Sequence, residues 1–326
     1  MRLFLAPMEG LADQSLRAVL TALSPYDLAV SEFVRVSGAL LPQRAFFRIS
    51  PELQHGGRTR AGTPVQVQLL GSDPLMMARN AARLAQWSPA GVDLNFGCPA
   101  ATVNRHRGGA VLLDEPETLH AIGVAVRAAM PAGGPVLSAK MRLGVKDTLR
   151  AVECAQALAD AGVERLVVHA RTKLDGYRPP AHWPWVARIA EAVSVPVVAN
   201  GEVWTVDDWQ RCRSESGVAD VMLGRGAVVD PFLARDIRAG RAWARNDPRA
   251  DDWAVLREHI GLFWIEVRAR LEARHAPGRL KQWLNLLRRR FGQAEALFQH
   301  VRPLRDARQI DRLLALHGIG APALAA

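Results

Sequence analysis

A cysteine occupies an unusual position in the segment Asn-Phe-Gly-Cys-Pro at residues 95–99, directly after the apolar stretch 92–94. Buried structural cysteines usually lie within helices or strands, whereas Cys98 is placed where a loop begins. Loops that a rigid scaffold holds in place carry a large share of catalytic and binding residues. Cys98 is therefore the first candidate for a residue that does chemistry.

The composition excludes several kinds of protein. The three cysteines, at positions 98, 154 and 212, form no Cys-x-x-Cys pair, so we expect neither a disulfide framework nor a metal site. Glu9 interrupts the first apolar stretch too early for a signal peptide. No uncharged run approaches the ~20 residues that span a bilayer. We therefore expect a cytoplasmic protein without a membrane anchor.

Eight short apolar segments recur along the first 226 residues, and this pattern predicts a parallel sheet. Continuous apolar runs are typical of strands buried on both faces. Between them we expect helices, one capped by Asp73 and another capped by Asp147 and ending at Gly162. The segments are LFLAPM (3–8), LAVSEF (28–33), VQVQLLG (65–71), VDLNFG (92–97), VLSAKMRLG (136–144), RLVVHA (165–170), VPVVANGE (195–202) and ADVMLGRG (219–226).

Eight strand–helix units predict a (β/α)₈ TIM barrel over residues 1–240. A doubly wound sheet is the alternative, but no Gly-x-Gly-x-x-Gly fingerprint follows any of the strands. The strand signals stop near residue 240, so residues 241–326 are predicted to form a small all-helical domain, joined near RNDPRADD at 245–252. One helix of this domain carries an apolar stripe. Its residues are Leu280, Trp283, Leu284, Leu287 and Phe291.

Positive charge is concentrated in the predicted helical domain. The chain has a net charge of +10, and residues 241–326 hold 16 Lys and Arg against 9 Asp and Glu. Such an excess indicates either a solvated arginine-rich surface or a polyanionic partner such as nucleic acid.

Polar residues recur at the ends of the predicted strands, where a TIM barrel has its active site. A single polar residue there often only anchors a loop, but convergence of many favours a site. The glycine-containing ends of the last two strands favour a phosphate site, to which Arg225 could add a bidentate contact. Gln68 could bind the edge of a flat ring and Lys140 could neutralise negative charge on it, as a reduced flavin requires. The residues are Pro7, Met8, Glu9, Gln68, Asn95, Cys98, Lys140, Arg142, His169, Arg171, Asn200, Gly201, Glu202, Gly224, Arg225 and Gly226.

Several of these segments together resemble the tRNA-dihydrouridine synthases. The most specific is VDLNFGCPAATVNRHRGGA (92–110), and APM, KMRLG, VHART, NGE and GRGA add weaker matches over nearly the whole chain. SEFVRV, RLKQWL and LFQHVR are most similar to the C-type enzymes, which act on uridine 16. One departure is Ala101, where relatives often have a lysine.

The resemblance implies a flavoenzyme with FMN as cofactor and NADPH or NADH as electron donor. Cys98 would be the general acid that protonates C5 of uracil while a hydride reaches C6. A free thiol with a pKa of about 8.5 is mostly protonated at neutral pH, which suits this role. Asn95 would hold the base or the flavin edge. The expected cofactor-binding residues are Pro7, Met8, Glu9, Gln68, Lys140, His169, Asn200, Gly201, Glu202, Gly224 and Arg225.

The resemblance also implies tRNA as the partner, with no stable protein partner. A uridine in folded tRNA must leave its stack to reach the mouth of a barrel. Arg35 and Tyr177 lie on loops that should face this mouth. Arg279 and Lys281, in the basic helical domain, are candidates for contacts to phosphates.

Two other functions stay open at this point. An FMN barrel oxidoreductase that acts on a free pyrimidine, of the dihydroorotate dehydrogenase kind, would share the chemistry but has no use for a basic helical domain. A non-catalytic RNA-binding barrel has no use for Cys98 or for the phosphate loops.

Overall fold

The computed structural model of the protein describes residues 1–241 and 250–320. Eight parallel strands form a closed barrel in which each strand pairs with its neighbours in chain order and the eighth pairs with the first. The predicted TIM barrel is therefore confirmed. The strands are β1 (Leu3–Leu5), β2 (Leu28–Arg35), β3 (Val65–Leu70), β4 (Val92–Phe96), β5 (Leu137–Arg142), β6 (Arg165–His169), β7 (Val197–Asn200) and β8 (Asp220–Leu223).

Helices separate successive strands. In the described part of the chain they are α1 (Gln14–Leu23), α2 (Gln43–Ile49), α3 (Pro74–Ala85), α4 (Ala101–Asn104), α5 (Pro116–Ala129), α6 (Ala151–Asp160), α7 (Trp183–Ala192) and α8 (Val206–Ser216). After β8 follow α9 (Arg225–Val229), α10 (Leu233–Ala239), α11 (Ala250–Arg270), α12 (Ala276–Leu287), α13 (Gly292–Val301) and α14 (Ala307–Leu316). Among the described residues after β8 these helices follow one another without a strand, which agrees with the predicted change of fold class.

The two predicted helix caps have different outcomes. The side chain of Asp73 accepts a hydrogen bond from the backbone N–H of Met76, so this cap of α3 is confirmed. The cap at Asp147 is wrong, because α6 begins four residues later, at Ala151. Asp147 instead accepts a hydrogen bond from the backbone N–H of Leu149, which closes a tight turn in the loop before the helix.

The interior of the barrel is apolar on one side and polar on the other. The apolar side is a buried cluster of Phe4, Ala6, Leu28, Val30, Val167, Val198 and Met222. Strands β3, β4 and β5 carry buried polar residues at every second position instead: Gln66 and Gln68, Asp93 and Asn95, and Ser138. Since alternate residues of a strand share a face, the polar side chains of these three strands lie together.

The described residues divide into two compact units. The first comprises Met1–Gln14, Tyr26–Val203 and Asp207–Gly224 and contains all eight strands. The second comprises Ser15–Pro25, Trp204–Val206 and the described residues from Arg225 onward. Helices α9 and α10 thus belong to the second unit although they precede residue 240. The domain boundary between residues 240 and 241 stays a prediction, and residues 242–249, which include most of the predicted junction, lie outside the described ranges.

The second unit has an apolar core of its own. The five residues of the predicted stripe on and after α12 are all buried, as expected. The indole of Trp283 lies edge-on to the ring of Phe263 at 4.9 Å, and its Nε1–H donates to the carbonyl of Val228 in α9. Arg290 and Asp230 form a buried ion pair at 3.3 Å. These contacts explain why α9 and α10 group with the C-terminal helices.

Candidate active site

Seven of the predicted site residues lie within the last three positions of their strands: Arg35, Gln68, Asn95, Lys140, Arg142, His169 and Asn200. Strand pairing places Asn95 beside Lys140 and His169 beside Asn200. Pro7, Met8 and Glu9 follow the end of β1. These polar residues therefore lie at the carboxyl end of the barrel, as their positions at the ends of the predicted strands indicate.

The backbone of Cys98 is anchored to β4 by the side chain of Asn95. Oδ1 of Asn95 accepts hydrogen bonds from the backbone N–H groups of Gly97, at 3.0 Å, and Cys98, at 2.9 Å. The turn after β4 is thereby fastened to the strand that carries it. Asn95 is 8% exposed, so water competes little for these bonds.

The rest of the motif packs against the other side of Cys98. The carbonyl of Cys98 accepts hydrogen bonds from Nδ2 of Asn104, at 2.9 Å, and from the backbone N–H of Ala110, at 3.0 Å. Gly109 has a φ of +67°, and a Cβ there would lie 2.7 Å from the carbonyl oxygen of Cys98. Only glycine combines this backbone conformation with so close an approach, which explains the Gly-Gly-Ala that follows the cysteine.

The thiol of Cys98 is half-buried and is held in its protonated form. Burial is the largest cause that raises its pKa, and the carboxylate of Glu9 acts in the same direction. A backbone hydrogen bond from Ala100 and the cations Arg142 and Arg35 act against this shift. A thiol with a raised pKa is a proton donor at neutral pH and a poor nucleophile.

Lys140 is a cation at the mouth of the barrel. Among the described residues its Nζ makes no hydrogen bond and no ion pair. Burial, followed by the nearby charge of Arg142, lowers the pKa of Lys140 to about 8. An anionic group bound beside this ammonium would stabilise its charged form, so the position suits a ligand that carries or gains negative charge.

Arg142 connects two loops of the site, a role that the sequence did not indicate. It is 1% exposed. Its guanidinium donates to the carbonyl of Gly97 at 2.8 Å and to the carbonyls of Thr172 and Gly176 at 2.9 Å. It also lies 5.2 Å from the centre of the Tyr177 ring. The loop that carries Cys98 is therefore joined to the loop after β6.

Two predicted cofactor residues have a positive φ after β7, which glycine adopts freely and which is strained in Glu202. Gly201 has a φ of +117°, and a Cβ there would lie 2.9 Å from Cδ2 of His169. Glu202 has a φ of 59° and forms an ion pair with the buried guanidinium of Arg171. Backbone strain of this kind often accompanies function. His169 in turn lies 6.1 Å from Tyr177, ring centre to ring centre.

Glu9 and Gln68 have surroundings that the sequence did not anticipate. Desolvation of the carboxylate and the neighbouring Glu32 raise the pKa of Glu9 to about 7, although the side chain as a whole is exposed. The amide of Gln68 is fully buried and is hydrogen-bonded to both Asp93 and Asn95. The cofactor contacts of both residues stay predictions.

Two arginines of the second unit lie over the ring of one tryptophan. Arg225 lies 5.3 Å and Arg289 lies 4.9 Å from the centre of the Trp204 ring. Such contacts hold a guanidinium plane in place. The phosphate contact of Arg225 stays a prediction.

The two candidates for phosphate contacts on α12 differ in their surroundings. Arg279 lies 5.4 Å from the centre of the Phe263 ring and donates to Oε1 of Gln282. Lys281 is half-buried, and its ammonium donates to the carbonyl of Leu304. Both side chains are half-buried and contact other residues of the second unit, so both contribute to its packing, and their phosphate contacts stay predictions.

Neither a metal centre nor a membrane span is found in residues 1–241 and 250–320. No group of three or more His, Cys, Asp or Glu side chains there could hold a metal ion. None of the helices in these ranges is both long and apolar enough to cross a bilayer.

Comparison with known proteins gives a consistent family. A family model described as Dihydrouridine synthase (Dus) matches residues 4–312. A tRNA-dihydrouridine(16) synthase of Aquipseudomonas alcaligenes is 56% identical over 316 residues, which cover 97% of this chain and 99% of that protein. A protein of the same name from Cupriavidus necator is 56% identical over 313 residues, which cover 96% of each chain.

Solved structures with low sequence identity share the fold. A histamine dehydrogenase from Rhizobium sp. 4-9 has a TM-score of 0.56 at 14% identity, over 81% of this chain and 48% of that chain. An old yellow enzyme homologue from Zymomonas mobilis has a TM-score of 0.50 at 14% identity, over 77% of this chain and 92% of that chain. At this level of identity the likeness concerns the barrel alone.

Proposed function

Since this chain belongs to the dihydrouridine synthase family, a family of oxidoreductases, we propose that it is an FMN-dependent tRNA-dihydrouridine synthase. Its substrate is uridine 16 in the D loop of tRNA, and NADPH or NADH is the electron donor. The names of the relatives, which specify uridine 16, support this choice of tRNA position. The protein acts in the cytoplasm without a stable protein partner.

One observation carries the proposal: a half-buried thiol just after β4 and a lysine on the adjacent strand β5, which makes no hydrogen bond or ion pair in the described ranges, lie at the mouth of one barrel. Cys98 follows β4, and Lys140 pairs in register with Asn95 on β5. Reduction of the C5=C6 bond of a pyrimidine needs a hydride at C6 and a proton at C5. Bound reduced FMN supplies the hydride, and the thiol of Cys98 supplies the proton.

The residues of the site fit an isoalloxazine ring with a phosphate tail. The ammonium of Lys140 has no partner in the described part of the chain and compensates negative charge on the reduced ring. Asn95 keeps Cys98 in place and lies where a base would enter. The loop after β7, with Gly201, and the end of β8, with Gly224, offer backbone N–H groups to an anion.

The decisive experiment measures which compounds oxidise the reduced protein. We expect a yellow preparation whose flavin is reduced by a nicotinamide and reoxidised by unmodified tRNA. Dihydrouridine should then be found at position 16 of the tRNA. Reoxidation by free uridine or orotate instead would point to an enzyme of the dihydroorotate dehydrogenase kind. A colourless protein that still binds RNA, and that no added FMN restores, would refute the oxidoreductase mechanism.

Replacing Arg225 with alanine is expected to weaken the binding of FMN at least about tenfold and to leave the binding of riboflavin nearly unchanged. A charge-assisted bond to the phosphate is lost, and riboflavin has no phosphate. Fluorescence titration of the apoprotein with both flavins measures the two affinities. The matched control is Arg289→Ala, because Arg289 lies over the same Trp204 ring. Equal losses for FMN and riboflavin in Arg225→Ala would contradict the assignment.

Replacing Arg279 with alanine is expected to weaken tRNA binding and to leave flavin content and nicotinamide oxidation intact. Each lost phosphate contact should reduce the slope of log affinity against log salt by about 1. Lys281→Ala, also predicted to weaken binding, should in addition lower the melting temperature, since its ammonium bonds to Leu304.

The control for this experiment is Arg211→Ala, which removes an exposed arginine from α8. Affinity is measured for each variant at several salt concentrations. If Arg279→Ala keeps both its affinity and its salt slope, the helical domain does not bind tRNA through this residue.

A further inference from the structure

A line of hydrogen bonds runs from the middle of the barrel to the backbone of Cys98. It begins at Asp93, whose Oδ2 accepts from Nε2 of Gln68 at 2.6 Å. Oε1 of Gln68 accepts from Nδ2 of Asn95 at 2.7 Å. Oδ1 of Asn95 accepts from the backbone N–H groups of Gly97 and Cys98. Asp93 thus acts on Cys98 through two side-chain amides.

We propose that Asp93 is a positioning residue that sets the direction of this line and thereby fixes Cys98 at the end of β4. The proposal rests on the proposed function only for the use to which the thiol is put. The placement of the thiol itself is argued from the contacts of Asp93, Gln68 and Asn95.

The argument depends on what each group can donate. A carboxylate only accepts hydrogen bonds, whereas a side-chain amide donates at one end and accepts at the other. Asp93 therefore turns the NH₂ group of Gln68 towards itself, so the oxygen of Gln68 faces Asn95. Asn95 must then donate to Gln68, and its oxygen is left for the N–H groups of the turn. Reversal would bring the NH₂ group of Asn95 against those N–H groups.

Asp93 is held in this role from the other side as well. Its Oδ1 accepts a hydrogen bond from the hydroxyl of Ser138, and strand pairing puts Gln68, Asp93 and Ser138 at one level of β3, β4 and β5. All three are at most 1% exposed. Burial raises the pKa of Asp93, while the bonds from Gln68 and Ser138 and the charges of Arg165 and Lys140 oppose the shift. Both carboxylate oxygens are therefore engaged as acceptors.

The test uses the alkylation of Cys98 by iodoacetamide, located by peptide mass spectrometry on the flavin-loaded protein. Cys154 and Cys212 are fully buried, so the reaction reports on Cys98. In Asp93→Asn the donors and acceptors of this line of hydrogen bonds can be reversed. The bonds from the N–H groups of Gly97 and Cys98 to Asn95 are then absent part of the time. We expect Cys98 to react roughly three- to tenfold faster, the scale of one hydrogen bond. Ser138→Ala keeps the carboxylate and should leave the rate unchanged.

A second substitution separates positioning from packing. Adding Gln68→Glu to Asp93→Asn moves the carboxylate one position along the line, so Asn95 must again donate to it and its oxygen again faces the turn. The double variant is expected to restore the wild-type alkylation rate. A role in packing alone predicts no such rescue, because Asp93→Asn and Gln68→Glu each preserve the size of the side chain that they replace.

Each outcome decides the proposal. An unchanged rate in Asp93→Asn, or no rescue in the double variant, overturns it. If Asp93→Asn is recovered only in unfolded form, a folded double variant supports the proposal. If both variants fail to fold, the proposal is overturned. The assay needs no tRNA, so a wild-type protein that does not reduce tRNA would refute the proposed function and leave the alkylation result standing.

Discussion

Replacing Cys98 with alanine is expected to slow the oxidation of the reduced flavin by tRNA about 10²–10⁴-fold, the usual contribution of one general acid. The variant should bind the flavin and accept electrons from a nicotinamide as the wild type does. The backbone around residue 98 is held through its peptide groups by Asn95, Asn104 and Ala110, so the turn survives the loss of the thiol and of its bond from the backbone of Ala100. Stopped-flow measurement of flavin absorbance follows both half-reactions separately.

The matched control is Cys154→Ala. Cys154 is a buried thiol of α6 that donates to the carbonyl of Leu113, so its loss should lower the melting temperature without slowing the reaction with tRNA. Wild-type speed in Cys98→Ala would show that another group delivers the proton.

Replacing Lys140 with methionine is expected to lower the reduction potential of the bound flavin by tens of millivolts. The anionic reduced ring loses its counter-charge, and 30 mV of a two-electron couple corresponds to about 1.4 kcal/mol. Methionine retains the apolar length of the side chain, so the change reports on charge. Spectroelectrochemical titration against a reference dye measures the potential.

The pH dependence of this effect follows from the pKa of Lys140. Without a bound ligand the ammonium, which lies near the charge of Asp93, has a pKa of about 8, and its charge disappears as the pH rises through this value. The reduced flavin should move the loss of charge to higher pH, so the wild type and the variant should still differ at pH 8. Lys146→Met, an exposed lysine in the loop after β5, is the control. Equal potentials in the wild type and Lys140→Met would remove Lys140 from the flavin site.

The barrel was predictable because its strands are continuous apolar runs separated by helical intervals. All eight predicted segments contain an observed strand or most of it. Helix starts were harder to place, as Asp147 illustrates. Its side chain can bond equally well within a turn or at a helix start, and only the path of the loop after β5 decides between them.

The polar half of the barrel was overlooked although its signal is in the sequence. VQVQLL, VDLNF and LSAKMR carry polar residues at alternate positions, the period of one face of a strand. Interpreted as strands buried on both faces, they left Asp93 and Ser138 without a role. Arg142 is predicted as a strand-end residue, but its carbonyl partners lie on two loops, one with residue 97 and one with residues 172 and 176, and a local sequence pattern does not show that these loops meet.

The way in which Cys98 is held has a consequence for enzyme engineering. The hydrogen bonds that Asn95, Asn104 and Ala110 make with this residue use its peptide N–H and C=O groups, whereas the backbone of Ala100 bonds to the thiol. The first three bonds hold the main chain whatever side chain the residue carries. Selenocysteine, or another residue whose side chain differs in acidity, would keep the same backbone geometry at this position. The acidity of the proton donor then becomes an independent variable, and a series of such replacements would yield a Brønsted slope for proton delivery to a nucleobase.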